Sequence, residues 1–408
     1  MARRRPPAGT PTVAGATRSR HRRSIRPNSH VSTCPVCATG PPAAWPWQSY
    51  DNVAHNQPDA ANALAHRVGE TLFLIDTGVT DAFRVALRSA VDRVGPWTRL
   101  VVLTTHGHPD HVGNNDLADE LGRERNVPVE HYVPARDLPQ MLDPAAYWIR
   151  SFSRVAGIVA LPAPPKLAGD KVVSLFQPLR PFAAVTSTYE ELPLERIALG
   201  AVPMTGWSFA DGAVRVLRSQ GHTAGHVVVH LRDSGLVHLA DEGNGPCGVM
   251  QDADQLKLQT VLGAVATLFE NGQATVLTDG HTFAVRRADE AASYLNGLLD
   301  QAMALQQLAL SATKDKTSVD PHEFAERYAR GVTELGVGGA NPNPMFTGMM
   351  AVNQLAEIGL RPDGSESGAS WSRPALANPA PVAGMPRGLA LVPAAVAMLR
   401  WKLQKKDR

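Results

Sequence analysis

Short apolar runs alternate with amphipathic stretches in the first half of the chain. Residues 71–76 and 100–104 are runs of apolar and β-branched residues, which are typical of buried strands. Between them, apolar side chains recur every three or four positions over 83–94, a spacing that predicts one face of a helix. The same criteria predict a helix at 115–123 and a strand at 127–133.

The second half of the chain continues this alternation. Three strands separated by glycine and Asp-Ser-Gly turns are predicted at 213–217, 227–231 and 236–240, which favours antiparallel pairing. They are followed by a helical face, a short strand and two more helices, predicted at 258–269, 274–278, 288–310 and 321–335. Periodicity alone therefore indicates a mixed α and β protein, and the order suits two sheets faced by helices.

Two segments lack such patterns. Residues 134–200 combine prolines with aromatic side chains and show no clear strand periodicity, so we interpret them as an insertion that is partly helical. The last part of the chain, from about residue 349, is rich in glycine and proline. We expect it to be loosely structured apart from a helix at 393–404.

The net charge of +2 conceals a basic tail. Residues 1–30 hold eight of the 40 basic side chains and none of the 38 acidic ones, so the rest of the chain is mildly acidic. Because this tail has few large apolar residues to bury, we expect residues 1–45 to form a disordered tail and a connecting loop. The sequence predicts neither an export signal nor a membrane span, and we expect a cytoplasmic protein with no membrane partner.

Three cysteines do not suggest a disulfide framework. Cys34-Pro-Val-Cys37 is half of a zinc knuckle, but an ordinary loop is the favoured interpretation, since few further ligands lie near it.

The sequence His-Gly-His-Pro-Asp-His follows the predicted strand at 100–104 almost directly. It places four metal-binding side chains within six residues, namely His106, His108, Asp110 and His111. So many polar groups beside a buried strand are costly unless they are compensated. Imidazole and carboxylate bind zinc, iron or manganese well. Because the adjacent Asp110 and His111 point in different directions, one loop can serve two metal ions about 3.5–4 Å apart.

Three later strand ends also deliver metal-binding side chains. The sequence Gly-His-Thr-Ala-Gly-His offers His222 and His226, Leu-Ala-Asp-Glu offers Asp241, and Thr-Asp-Gly-His offers His281. Each of these is weak evidence alone, since a turn histidine or aspartate is common. Four strand ends in one order, each carrying such a group, predict a metal centre.

This series of motifs resembles the signature of the metallo-β-lactamase superfamily, and the sequence Leu-Ile-Asp-Thr-Gly at 74–78 matches the family's opening strand and turn. The resemblance covers about residues 68–285. It implies an α/β fold, a four-layer αββα sandwich with an inserted lid segment and an α-rich C-terminal extension. We therefore expect a catalytic domain at 46–312 with the lid at 134–200, followed by a partly helical extension at 313–408.

The resemblance also implies the metal ligands. Metal 1 would be bound by His106, His108 and His222, metal 2 by Asp110, His111 and His281, and Asp241 would bridge them. His226 would then be a supporting residue. Asp76 would hold the ligand loop or the N–H group of a ligand, although it could equally be a simple turn residue.

Such a site implies a metal-dependent hydrolase. A hydroxide bound to two divalent ions, zinc in preference to iron or manganese, would attack a small organic substrate such as an ester or a lactone. Asp110 or Asp241 would pass the proton to the leaving group. In the family, insertions such as 134–200 cover the substrate, so we expect substrate contacts from Tyr147 and Trp148, with a role in the local core as the alternative.

Other functions remain open on the sequence. Activated aryl ethers of the nitroaromatic methyl ether type, or organophosphates, would place the protein in the catabolism of aromatic compounds. A nuclease acting on RNA or DNA would suit the arginine-rich tail, but the acidic remainder argues against a nucleic-acid partner. A flavin-dependent diiron enzyme would need a flavodoxin-like domain, and the last 100 or so residues lack the required strand–helix alternation. Homo- and hetero-oligomers remain equally open.

Overall fold

The protein is described by a computed structural model over residues 61–161, 163–180, 186–199, 202–243, 252–281, 284–335, 344–364 and 370–373. The first sheet has five strands in the order β1-β2-β3-β4-β5. Its strands are β1 (Leu64–Val68), β2 (Thr71–Ile75), β3 (Arg99–Leu103), β4 (Val129–Val133) and β5 (Thr186–Thr188). The first two form an antiparallel hairpin, and β2 to β5 run parallel. Four carboxyl ends therefore meet at one edge.

The second sheet has seven strands in the order β12-β11-β10-β9-β8-β7-β6. They are β6 (Glu195–Leu199), β7 (Val202–Phe209), β8 (Val214–Arg218), β9 (Val227–Leu231), β10 (Leu236–His238), β11 (Val276–Thr278) and β12 (Arg286–Arg287). All neighbours are antiparallel except β10 and β11, which are parallel. Strands β8, β10 and β11 therefore run in the same direction and end at the same edge.

The helices are α1 (Asp81–Arg93), α2 (Pro109–Val112), α3 (Asp116–Arg125), α4 (Leu138–Leu142), α5 (Pro144–Val155), α6 (Pro165–Leu175), α7 (Gln255–Glu270), α8 (Ala288–Ala312), α9 (Pro321–Glu334) and α10 (Pro344–Glu357). Two turns of 3₁₀-helix lie at Tyr189–Glu191 and Ala240–Gly243, and a small third sheet joins β13 (Ser318–Val319), β15 (Trp371–Ser372) and β14 (Arg361–Pro362). None of the helices described here is both long and apolar enough to cross a membrane.

Three apolar cores give the sandwich its layers. The two sheets face each other through side chains such as Phe73 and Trp207. The outer face of the first sheet packs on α1 and α3 through residues such as Phe83. The outer face of the second packs on α7 and α8 through residues such as Leu262 and Leu295. Because each sheet buries both faces, inner strands such as β2, β3 and β9 are apolar runs rather than alternating ones, and the predicted αββα sandwich is confirmed.

A fourth core lies among helices and corrects one expectation. Helices α5, α6, α9 and α10 and the end of α8 bury a common cluster that includes Phe152, Tyr328 and Trp371. The described residues 344–364 and 370–373 therefore contribute to a packed core, although their composition predicts loose structure. A few apolar residues are enough to fix these helices in place, because distant segments of the chain supply the apolar surfaces against which they pack.

The segment 134–200 also contains structure that its sequence does not predict. Strand β5 extends the first sheet and β6 forms the edge of the second, so only part of this segment lies outside the sandwich. Both strands are short, and β5 has three residues, which is too few for a period to be visible. The predicted tail at 1–45, the helix at 393–404, and Cys34, Cys37 and Cys247 lie outside the described residues.

Candidate metal centre

The four loops that carry the predicted ligands meet at one edge of the sandwich. Loop 106–111, called the HGHPDH loop, follows β3 of the first sheet. Loop 221–226, called the GHTAGH loop, follows β8, while Asp241 and His281 follow β10 and β11 of the second sheet. Parallel or equally directed strands bring their carboxyl ends to one edge, which is why residues distant in sequence converge here.

The backbone turns sharply where these strands end. Asp76, Gln220 and Ala240 have φ angles of 57°, 61° and 46°, in the left-handed region that residues other than glycine seldom adopt. Such residues carry strain of about 1–3 kcal/mol each and are concentrated at functional sites. The turns direct the following side chains back across the sheet edge.

Four ligand atoms form the first ligand group, namely His106 Nε2, His108 Nδ1, His222 Nε2 and Asp241 Oδ2. His108 Nδ1 lies 3.0 Å from His106 Nε2 and 3.2 Å from His222 Nε2. Asp241 Oδ2 lies 3.3 Å from His222 Nε2 and 3.6 Å from His106 Nε2. A tetrahedral zinc ion with bonds of 2.0–2.1 Å separates its ligands by about 3.3 Å. These atoms therefore fit the edges of one such tetrahedron.

Asp110, His111 and His281 form the second ligand group. Asp110 Oδ2 lies 3.4 Å from His281 Nε2 and 3.8 Å from His111 Nε2. Asp241 Oδ1 completes the arrangement, at 3.1 Å from His111 Nε2 and 3.2 Å from His281 Nε2. Asp241 Oδ2 thus faces the first group and Oδ1 the second, while His281 Nε2 lies 3.2 Å from Oδ2 as well, so the Asp241 carboxylate lies between the two groups.

Burial and charge give the first group the protonation state that a metal ion needs. Burial lowers the pKa of His108 and His222 to about 3, so both imidazoles are neutral at pH 7 and keep a lone pair for a metal ion.

Burial opposes protonation of His111 as well, but the carboxylates of Asp241, Asp76 and Asp110 raise its pKa well above the usual range. Asp241 is buried too, yet His281 and His111 hold its pKa well below the usual range.

Asp76 both orients a ligand and holds the loop before it. Its Oδ2 lies 2.8 Å from His111 Nδ1, which leaves Nε2 of that ring facing the second ligand group. The same carboxylate accepts hydrogen bonds from the backbone N–H and the hydroxyl of Thr105, at 2.8 Å and 2.7 Å. The turn residue of the sequence analysis is therefore also the support of a ligand histidine.

His226 belongs to neither ligand group, in agreement with its predicted supporting role. Its Nδ1 lies 2.9 Å from Ser219 Oγ, and its Nε2 accepts a hydrogen bond from the backbone N–H of Asp241 at 3.2 Å. The ring therefore ties the GHTAGH loop to the turn that carries the shared carboxylate.

Three carboxylates that the sequence analysis did not select hold the GHTAGH loop. Glu242 accepts a hydrogen bond from Gly221 N at 2.7 Å, Asp252 from Ala224 N at 2.8 Å, and Asp137 from Gly225 N at 2.8 Å. Burial raises the pKa of both Glu242 and Asp137 to about 7. These residues lie far from the loop in sequence, so no local motif reveals them.

The position of Glu242 corrects an expectation drawn from strand geometry. A neighbour of Asp241 at a strand end should point away from the site. However, Ala240–Gly243 forms a 3₁₀ turn, and this turn brings the Glu242 side chain back into the interior, where it is completely buried. Its Oε1 lies 3.3 Å from His226 Nδ1.

Tyr147 and Trp148 form a wall behind His108. The two rings lie 5.8 Å from the ring of His108, and their exposed fractions are only 3% and 5%. The Tyr147 hydroxyl donates a hydrogen bond to Asp252 at 3.0 Å. Both residues also belong to the helical core, as the alternative interpretation expects. Direct contact of either ring with a substrate stays a prediction.

A cavity of about 310 Å³ lies beside the HGHPDH loop. It is lined by Gly107, Pro109, Val112, Gln140, Met141, Leu142, Pro144, Leu179 and Arg180. Most of these side chains are apolar. Gln140 is 96% buried, and neither its amide oxygen nor its nitrogen has a hydrogen-bond partner among the described residues. Arg180 is neutralised by Asp81 and hydrogen-bonded to Asn114.

Residues 57–190 match the family model of the metallo-beta-lactamase superfamily. The matched segment, about a third of the chain, carries the first sheet and the HGHPDH loop, and the sandwich with its strand-end loops agrees with the fold of that family. No curated protein sequence matches the chain.

The solved structures to which the chain is similar are distant in sequence. A metallo-beta-lactamase family protein from Thermus thermophilus is 17% identical, with a TM-score of 0.49 over 77% of this chain and 94% of its own. A beta-lactamase domain protein from Burkholderia ambifaria is 16% identical, with a TM-score of 0.48 over 77% of this chain and 87% of its own. The sec-alkylsulfatase Pisa1 from Pseudomonas sp. is 18% identical, with a TM-score of 0.47 over 73% of this chain and 48% of its own.

Proposed function

We propose that the protein is a hydrolase that uses two divalent metal ions, most suitably zinc, with iron or manganese as alternatives. The observation that supports this proposal is the convergence of the two ligand groups on the two oxygens of Asp241. His106, His108 and His222 would hold one ion, and Asp110, His111 and His281 the other. Nitrogen and carboxylate donors at these separations suit zinc, and they suit iron and manganese as well.

Metal ions bound by these residues would supply Lewis-acid chemistry, which makes water acidic enough to yield hydroxide near pH 7. The protein supplies the remaining functions. Asp241 fixes the separation of the two ligand groups, and Asp76 keeps His111 in the orientation that directs Nε2 into the second group. The rings of Tyr147 and Trp148 exclude water from the far side of His108.

Asp110 is the stronger candidate for moving the proton to the leaving group. Both oxygens of Asp241 face ligand nitrogens, whereas Asp110 approaches His111 and His281 through Oδ2, at 3.8 Å and 3.4 Å. The Asp110 side chain is about 10% exposed and the Asp241 side chain about 5%, so Asp110 is the more accessible carboxylate. A general acid or base must come within hydrogen-bond reach of the reacting group, and the more exposed Asp110 would do so more readily.

The proposed substrate is a small, partly apolar molecule with an electrophilic carbon, such as an ester or a lactone. The 310 Å³ cavity supports this choice, since it borders the HGHPDH loop and is lined by Val112, Met141 and Leu142. Ligand cavities are usually apolar, with a few polar groups that fix orientation. Gln140 would supply such a group. Activated aryl ethers and organophosphates share this combination of an apolar body and an electrophilic centre.

The proposal is tested by metal analysis joined to a substrate screen. Purified protein should contain close to two zinc, iron or manganese ions per chain, and a chelator should abolish hydrolysis. The screen should contain esters, lactones, aryl methyl ethers, organophosphates and single-stranded RNA, with Asp241→Ala as the inactive control. Protein without a transition metal, whose hydrolysis is unaffected by chelators, would refute the proposal. Cleavage of RNA alone would keep the metal centre but replace the small-molecule substrate.

A further inference from the structure

A single buried carboxylate connects the two loops that form the first ligand group. Asp137 Oδ2 accepts a hydrogen bond from the backbone N–H of Gly107 at 3.0 Å and from the hydroxyl of Thr223 at 2.6 Å. Its Oδ1 accepts a third, from the backbone N–H of Gly225 at 2.8 Å. Gly107 lies between His106 and His108, and Thr223 follows His222 directly. The carboxylate therefore touches the residue next to each of these three histidines.

The close approach of the loops to Asp137 depends on glycine at two positions. A Cβ atom at Gly107 would lie 2.8 Å from the Asp137 carbonyl oxygen, and one at Gly225 would lie 2.5 Å from Oδ1. Real Cβ atoms essentially never approach heavy atoms below 3.0 Å. The backbone of Asp137 is itself held at the start of α4, where its carbonyl oxygen accepts hydrogen bonds from Gln140 N and Met141 N at 3.1 Å and 3.2 Å. Both loops are thus packed against a fixed anchor.

We infer that Asp137 is a positioning residue that sets the distance between His222 and the pair His106 and His108, and so tunes metal binding by the first ligand group. The two loops leave different sheets, and a backbone hydrogen bond from Val227 N to Thr105 O at 3.0 Å joins their bases, so Asp137 adds a direct connection between the loops themselves. His108 Nδ1 lies 3.0 Å from His106 Nε2 and 3.2 Å from His222 Nε2, and a tetrahedral ion tolerates deviations of about 0.2 Å in its bonds. A small relative movement of the loops is therefore enough to weaken binding. This inference rests on the proposed metal centre.

The test measures zinc binding and stability rather than turnover. Zinc dissociation constants are determined by competition with a chromophoric chelator, and the melting temperature of the metal-free protein is measured in parallel. Asp137→Asn keeps the shape but replaces one acceptor oxygen by a donor. Thr223→Val removes the hydroxyl and leaves the Asp137 charge in place, whereas Thr223→Ser retains the hydroxyl. The Thr223 pair also keeps the test valid if Asp137→Asn does not fold.

A matched control removes comparable hydrogen bonds far from the site. Asp320 caps α9 by accepting hydrogen bonds from the backbone N–H groups of His322 and Glu323. Asp320→Asn should lower the melting temperature of the metal-free protein and leave both zinc constants unchanged. It therefore measures the effect of general destabilisation alone.

Asp137→Asn is expected to raise one zinc dissociation constant by about 10–100-fold, as is typical of residues that support metal ligands, with Thr223→Val about tenfold and Thr223→Ser near the wild type. Unchanged zinc constants in Asp137→Asn and Thr223→Val, with a melting temperature lowered as in Asp320→Asn, would overturn the inference. Weakening in Asp137→Asn without any in Thr223→Val would overturn it too, because the charge rather than the connection would then be responsible. A wild-type protein that binds neither zinc, iron nor manganese would instead contradict the proposed function.

Discussion

One methyl group at Gly280 should be sufficient to displace the shared carboxylate. Gly280 precedes His281, and a Cβ atom placed there would overlap Oδ1 of Asp241. The same atom would lie 3.1 Å from the carbonyl carbon of Ala240 and 3.3 Å from Cε1 of His111. The φ angle of Gly280 is not in the left-handed region, so alanine is acceptable to the backbone, and the effect is purely steric.

The size of the effect follows from the two distances involved. Ordinary contacts between non-bonded heavy atoms begin near 3.5 Å, so Oδ1 must retreat by roughly 1 Å. Metal ligands tolerate about 0.2 Å, and the carboxylate would therefore lose contact with at least one ion. Overpacking of this kind costs about 1–3 kcal/mol. If the metal-bound state carries the whole cost, zinc binding weakens by about 5–150-fold, since 1.4 kcal/mol corresponds to tenfold.

The assay combines elemental analysis of dialysed protein with competition against a chromophoric chelator. Gly280→Ala should fall from near two zinc ions per chain to one or fewer. Gly297→Ala in α8 is the matched control, because a Cβ there meets nothing within 4 Å. It should keep both ions and gain about 0.5–1 kcal/mol of stability from the helix. Wild-type zinc content and affinity in Gly280→Ala would refute the placement of Asp241 between the two ligand groups.

Four further predictions concern carboxyl groups. Asp241→Ala should lose at least one metal ion and lower turnover by more than about 100-fold. Glu242→Ala should weaken zinc binding, because the buried Glu242 carboxylate holds the GHTAGH loop. Full zinc affinity in Glu242→Ala would show that Glu242 does not support this loop. Asp76→Asn keeps only one acceptor oxygen for His111 and the preceding loop and should weaken zinc binding about 10–100-fold, by the same competition assay. Burial raises the pKa of Glu357 from 4.5 to about 8. The folded protein then keeps a proton that the unfolded chain releases, so the melting temperature of the metal-free protein should fall as pH rises through this interval. Glu357→Gln should flatten that dependence, and an unchanged slope would show that this carboxyl does not cause it.

The candidate ligands could be proposed from the sequence because metal chemistry restricts the side-chain types. Only a few residue types bind such ions, and four side chains of these types crowd into the HGHPDH loop. The remaining ligands, His222, Asp241 and His281, each follow an apolar run that predicts a strand. The structure brings all seven together. The order of strands and helices also indicated the αββα layers, because sheets buried on both faces leave apolar runs that are visible without coordinates.

The supports of these ligands are decided by the tertiary structure. Asp137 lies 86 residues from Thr223 and 30 from Gly107, and Glu242 lies 21 from Gly221. A carboxylate that accepts backbone N–H groups requires no particular partner side chain, so it leaves no pattern in either segment. The 3₁₀ turn that buries Glu242 is likewise set by the strained exit from β10.

Contacts between segments that are distant in sequence also explain why the helical core could not be predicted. Helices α5, α6, α9 and α10 have ordinary compositions, and their apolar faces meet because α10 packs against helices of the segment before β5. Hydrophobic contacts are not directional, so a sequence shows which faces must be covered but not which distant segment covers them. Local chemistry therefore determined the ligand types and their strands in this protein, whereas the packing of distant segments determined what holds them in place.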